Sequence, residues 1–189
     1  MKVFKLTIAW GIALMLGGLL ASCGSSKSDD DDDDTPQGLV VRSTSGTYNM
    51  NGTWRNCYLS GSVANIVDYT FSGNTITISN YEEASCADAG TTTIFEPDQF
   101  DIVAEGEESA AEWVNGSGVS SPSPIDGSTT PVTATKVKQS TSGFTVSADL
   151  YYVDDSVTPP ELYNAYNSDN DATTYDASLS DSSSIYKFN

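Results

Sequence analysis

From Thr47 onward, apolar and polar residues alternate over short runs broken by Gly, Asn and Pro, the pattern of brief strands joined by tight turns. The clearest unit spans Val63 to Tyr81. Ile66, Tyr69 and Phe71 lead into Ser72, Gly73 and Asn74, after which Ile76 and Ile78 alternate with Thr75, Thr77 and Ser79. Alternation on both sides of a Gly-Asn pair predicts a β-hairpin. An earlier strand is expected from Thr53 to Leu59, and further strands at Thr91–Phe95 and Phe100–Val103, separated by Pro97. Residues 105–113, carrying Glu107, Glu108, Ala110, Ala111 and Trp113, form the one segment that favours a short helix. Ser117 to Pro131 is rich in Ser, Gly and Pro and predicts an exposed loop.

Beyond that loop, Val132 to Gln139 sets Val132, Ala134 and a phase-shifted Val137 against Lys136 and Lys138. Gly143 to Val153 alternates Phe144, Val146, Ala148 and Leu150, and Tyr151, Tyr152 and Val153 extend it. The two runs form a second expected hairpin through Thr141, Ser142 and Gly143. After Pro159 and Pro160, Leu162–Tyr166 is an expected short strand, and Ser184–Phe188 is placed to close the sheet. The fold class is therefore all-β: a single antiparallel barrel or strongly curved sheet of about eight short strands, with at most one short helix.

The first residues follow a different pattern. Lys2 and Lys5 precede an apolar stretch from Leu6 to Leu20, then Ala21, Ser22 and Cys23. This is the layout of a secretory signal peptide, and the apolar run is shorter than the roughly 18 to 20 residues of a membrane span. Leu20-Ala21-Ser22-Cys23 resembles the bacterial lipobox, which implies cleavage before Cys23 and acylation of its thiol. Residues 1–22 are thus expected to be a removed signal peptide and 23–37 a lipid-anchored acidic tether, with 38–189 as the barrel-like domain. Gly24, where an Asp would retain a lipoprotein in the inner membrane, favours the outer membrane, facing periplasm or cell surface. The six aspartates Asp29 to Asp34 repel one another and keep the tether extended and solvated.

Charge narrows the partners. The chain carries 8 basic and 26 acidic residues, a formal net charge of −18. Loss of Lys2 and Lys5 with the signal peptide makes the remainder more acidic still. Such a surface repels polyanions, so nucleic acid is not an expected partner. The expected partners are the membrane, through lipid on Cys23, and either a small apolar ligand or an envelope protein.

With Cys23 assigned to lipid, Cys57 and Cys86 form the remaining pair, in an oxidising compartment that favours a disulfide. The chain has no histidine. Ser-His-Asp and Cys-His catalysis and the usual zinc sites are thereby removed, and no catalytic residue or cofactor is expected. Carboxylate chemistry remains as a hydrolase alternative, but Glu82 with Glu83 and Asp154 with Asp155 are adjacent, so on strands each pair points to opposite faces. Asn167, Asp169 and Asp171, with Asp176, resemble the first half of a calcium loop, but Ala172 replaces the turn glycine and Ser178 the bidentate glutamate. They are weak metal candidates. Tyr151, Tyr152, Tyr163 and Tyr166, together with Tyr175, are weak candidates for a ligand mouth, the alternative being ordinary sheet packing.

Gly52-Thr53-Trp54 with Cys57, the Phe-Ser-Gly-Asn hairpin, the stretch Tyr81–Cys86 and the run Leu150–Ser156 resemble a group of small bacterial lipoproteins with lipocalin-like barrels. The Gly-x-Trp triplet is also similar to the lipocalin first-strand signature, in which the tryptophan closes one barrel end beneath a basic residue from late in the chain. No arginine stands there in this sequence, and Lys187 is the candidate. The resemblance implies a non-enzymatic protein that holds a small ligand inside its barrel. The other function classes are a structural or interaction module of the envelope, with a filled barrel, and a carboxylate-based hydrolase.

Overall fold

The computed structural model describes residues 38–141, 144–165, 178–182 and 185–188. The described elements are strands: β1 (Val40–Ser43), β2 (Gly46–Asn49), β3 (Gly52–Ser60), β4 (Val63–Ser72), β5 (Thr75–Glu83), β6 (Asp98–Val114), β7 (Val132–Thr141), β8 (Phe144–Asp154), β9 (Glu161–Asn164), β10 (Ser178–Ser180) and β11 (Ile185–Phe188). Eight of them close a ring in the order β3-β4-β5-β6-β7-β8-β9-β11 and back to β3, with every pairing antiparallel. The expected final strand closes the barrel, with Ile185–Phe188 pairing β3 on one side and β9 on the other.

Tight turns begin the ring. The β3–β4 and β4–β5 connections are two-residue loops, between Ser60 and Val63 and between Ser72 and Thr75. Each has a glycine at its first position, Gly61 at φ +67° and Gly73 at φ +57°. These positive φ values match the twist of the flanking strands and strain any residue with a Cβ.

Three expectations are corrected. Residues 105–113 do not form a helix but lie within the 17-residue β6. Alanine and glutamate are good helix formers, but such propensities are small per residue, and pairing of Glu108–Ala111 with Val132–Thr135 outweighs them after a register shift between Ala104 and Glu108. Thr91–Phe95 is not a strand; it contributes the isolated bridge Tyr81↔Thr93. The expected loop from Ser117 to Pro131 is not wholly exposed, since Ser123 is buried and Ile125 packs against apolar neighbours.

Strands β1, β2 and β10 lie outside the ring. β1 runs parallel to β8 at Tyr152 and Val153 and antiparallel to β2, and β10 runs parallel to the end of β6. Two apolar cores result. One lies inside the barrel and includes Trp54, Phe71, Ile76, Ile102, Val137 and Val153, packed with Leu39, Val41 and Met50 of the N-terminal segment. The other lies on the outer face of the sheet, where Trp113, Leu150, Tyr163 and Leu179 pack together.

Strand β8 separates these cores. Val137 stands opposite Asp149, Tyr151 opposite Asn164 and Val153 opposite Leu162, so Asp149, Tyr151 and Val153 share the inner face. Leu150 and Tyr152 point outward into the second cluster. The apolar alternation that includes Ala148 and Leu150 therefore marks the outside of the barrel.

Candidate functional site

One end of the barrel is closed. The Trp54 indole is fully buried and donates Nε1–H to the Met50 carbonyl at 2.8 Å, while the Tyr48 ring meets it edge-on with centroids 5.7 Å apart. Lys187 pairs with Trp54 in the β11–β3 register, its ammonium lies 5.3 Å from the centre of the indole ring, and it donates to the Asn51 carbonyl. This is the basic residue expected over the tryptophan. Burial lowers its pKa.

Above this seal the interior is not filled. A cavity of about 220 Å³ opens between β4, β7, β8, β9 and β11. Its apolar wall is Phe71, Leu162 and Ile185, and two phenols, Tyr69 and Tyr151, face it. Phe71 and Tyr151 meet edge-on with centroids 6.4 Å apart, and Gln139 Nε2 donates to the Tyr151 hydroxyl at 3.1 Å. The polar wall comprises Gln139, Ser147, Asp149 and Asn164. Ser147 Oγ is buried without a hydrogen-bond partner among the described residues. Asp149 is only 5 % exposed.

The electrostatics of this space are one-sided. Among the described residues no lysine or arginine lines it, and Asp149 is the one carboxylate that does. Burial raises the pKa of Tyr69, and so, secondarily, does the negative charge of Asp149. The same two causes act more strongly on Tyr151, and Tyr69 adds to them, against a smaller lowering by the Gln139 hydrogen bond. Both phenols are neutral donors at physiological pH. A two-carboxylate hydrolytic arrangement requires a second acid facing the first across such a space. Among the described residues lining this one, Asp149 is the only acid.

Of the expected tyrosines among the described residues, Tyr151 alone lies on the cavity. Tyr152 and Tyr163 do not line it but belong to the outer cluster, each meeting Trp113 edge-on with centroids 6.2 and 5.1 Å apart. Neighbouring residues on a strand face opposite sides, so Tyr151 and Tyr152 cannot both look inward. Burial and a hydrogen bond to Glu161 at 3.0 Å raise the Tyr163 pKa. Tyr166, Tyr175, Asn167, Asp169, Asp171 and Asp176 lie outside the described residues, as does Cys23. Among the described residues no group of three His, Cys, Asp or Glu side chains is placed to hold a metal ion.

The expected disulfide is present. Cys57 on β3 bonds Cys86 with their Cα atoms 5.7 Å apart. It pins the segment after β5 against the outside of the barrel, where Arg55 donates to the Cys86 carbonyl at 2.8 Å and the Asp88 carbonyl at 2.6 Å.

The cavity residues that sequence reasoning missed, including Tyr69, Gln139, Ser147, Asp149 and Asn164, are polar or amphipathic groups on inward positions. The available signal was phase: Asp149 and Ser147 are two and four residues before Tyr151 and therefore on its face. No known protein family, curated protein or solved structure matches this chain.

Proposed function

We propose that this protein is a non-enzymatic binding lipoprotein, anchored through acylated Cys23 in the outer membrane, whose barrel holds one small ligand. The observation that carries the binding role is the cavity of about 220 Å³ inside a closed eight-stranded ring. Barrels of this size have an interior either just filled by side chains or just able to enclose a small molecule. Here the closed end is filled, and the space above it combines apolar walls with a few inward polar groups, the usual composition of a ligand pocket. The resemblance to lipocalin-like lipoproteins supports the same reading, as does the Lys187–Trp54 arrangement at the closed end.

The test is to extract the full chain from its native host in mild detergent, measure its intact mass under native conditions, and identify released small molecules by mass spectrometry. The proposal expects a stoichiometric, low-molecular-weight companion that is absent after denaturation and lost when Ser147→Phe fills the cavity. A chain that emerges empty, and that no small-molecule mixture from the same host stabilises against heat, overturns it in favour of an interaction module.

A further inference from the structure

The cavity wall is divided by height, and the class of guest that follows from this division rests on the binding role proposed above. Phe71 stands opposite Gly52, Leu162 stands opposite Ile185, and Ile185 is two residues from Lys187 at the closed end. These apolar side chains form the floor. Tyr69 on β4 and Asn164 on β9 stand two positions farther from the closed end than Phe71 and Leu162, on the same faces of their strands. Asn164 pairs with Tyr151, and Gln139 pairs with Ser147, so the polar groups occupy neighbouring positions above the floor.

These groups are sparsely bonded to one another. Gln139 Nε2 donates to the Tyr151 hydroxyl, which leaves the Tyr151 O–H and the Gln139 side-chain carbonyl to act elsewhere. Among the described residues no side-chain hydrogen bond engages the Tyr69 hydroxyl or the Asn164 amide, and Ser147 Oγ is buried with no partner. Burial keeps both phenols protonated, so they act as neutral donors. Asp149 is engaged within the protein and is not counted among the open groups. Buried polar groups are normally satisfied, and this wall calls for a partner that brings donors and acceptors together.

Formal charge is not part of that requirement. Among the described residues no lysine or arginine lines the space, so an anionic guest would lose its hydration without gaining a counterion. An uncharged guest meets the same amides and hydroxyls without the cost of desolvating an ion. Hydroxyl groups suit them best, because each donates one hydrogen bond and accepts others. A six-membered polyol ring adds an apolar C–H face to its hydroxyl edge. A space of about 220 Å³ has room for one such ring of about twelve non-hydrogen atoms and excludes long acyl chains.

We propose that the cavity takes one small uncharged polyol of monosaccharide size, its C–H face on the apolar floor and its hydroxyl edge against Tyr69, Gln139, Tyr151 and Asn164.

The experiment measures dissociation constants at pH 7 by ligand-observed nuclear magnetic resonance, on the full chain held in a detergent without a sugar head group. The probes are glucose, galactose, mannose and myo-inositol as neutral polyols, cyclohexanol as the apolar ring, and 6-amino-6-deoxyglucose and glucuronate as charged counterparts. At least one neutral polyol is expected to bind about tenfold or more tightly than cyclohexanol and than either charged sugar. Gln139→Leu and Asn164→Leu are each expected to weaken that polyol by about fivefold to tenfold and to leave cyclohexanol no weaker. Should either variant fail to unfold cooperatively, the other decides, and should both fail, the polyol-to-cyclohexanol ratio of the unaltered protein decides. Equal or tighter binding of cyclohexanol or of a charged sugar overturns the polyol class while leaving a small-molecule cavity in place. Polyol binding that neither folded variant weakens places the sugar elsewhere and overturns it too. Failure of every probe to bind overturns the polyol class. Joined to an empty chain from the host, it overturns the binding role as well.

Discussion

Arg55 and Asp68 form a two-pronged ion pair, Nε to Oδ1 at 2.7 Å and Nη2 to Oδ2 at 2.8 Å, on the outer face of the β3–β4 ladder. Arg55 is fully buried although it points away from the barrel interior. It is covered by the segment that Cys86 pins and by Phe188, whose ring centre lies 3.4 Å from the guanidinium carbon. The Asp68 hydrogen bond raises the Arg55 pKa against the opposing effect of burial. With two carbonyls accepting from its Nη1, hydrogen bonds reach all three guanidinium nitrogens.

Removing one half of this pair leaves a buried charge without its counterion. Asp68→Ala is expected to cost about 3 to 5 kcal/mol. The double replacement Arg55→Met with Asp68→Leu is expected to cost markedly less, because no charge is then stranded. Urea denaturation midpoints of the two variants test this, and equal losses would show that the ion pair is not the source of the effect.

The Cys57–Cys86 bond spans 29 residues and closes a loop that includes β4 and β5. Cys57→Ser with Cys86→Ser is expected to lower stability by about 3 to 4 kcal/mol through the greater freedom of the unfolded chain. Addition of reductant to the unaltered protein is expected to produce the same shift in urea midpoint and none in the double variant.

The closed end depends more on packing than on charge. Trp54→Ala is expected to cost about 3 to 5 kcal/mol, the usual range for emptying an aromatic site. Lys187→Met, which keeps the stem and loses the half-buried ammonium with its bond to Asn51, is expected to cost about 1 kcal/mol. Thermal unfolding of both variants gives the ratio.

Acid sensitivity has an identifiable contributor in Asp155. Burial pushes its pKa upward, but hydrogen bonds from Ser45, Thr44 and Ser43 outweigh this and hold it at about 2. Because the folded value is lower than the ordinary one, the stabilisation is complete above about pH 4 and is lost as pH falls towards 2. The expected contribution is about 1 to 2 kcal/mol. Asp155→Asn should flatten the stability profile between pH 4 and 2, and an unchanged slope there would assign the acid sensitivity to other carboxylates.

If the proposed anchor is present, Cys23→Ala is expected to move the protein from the membrane to the soluble fraction of native cells and to abolish incorporation of labelled palmitate. Retention of the label in that variant would place the acyl group elsewhere.

Features decided by neighbours in sequence were legible before the structure. The Gly73-Asn74 hairpin needs only a turn and flanking alternation, and the Cys57–Cys86 pair follows once Cys23 is set aside. The interior was less legible because β8 is buried on both faces. Leu150 and Tyr152 serve the outer cluster as Tyr151 and Val153 serve the inner one, so periodicity does not say which side is inside. Asp149 and Ser147 break the apolar-inward pattern at the positions where a cavity needs polar groups. β6 was misread because its residues 105–113 favour helix locally, whereas their strand partners, Val132 to Thr135, are about twenty residues or more away in sequence. β1 and β2 are four residues each, too short for a period to establish itself.

The N-terminal segment that plugs the barrel also fixes where a load on the leading chain would be met. Leu39 is hydrogen-bonded to Gly73 and Met50, and Val41 is buried with Trp54 in the core. A pull applied ahead of Gly38 is therefore borne first by the sealed end and by the parallel junction of β1 with β8 at Tyr152 and Val153. Asp149 and Ser147 stand farther back along β8. Drag on a chain held by its leading end would loosen the plug before it deformed the cavity wall.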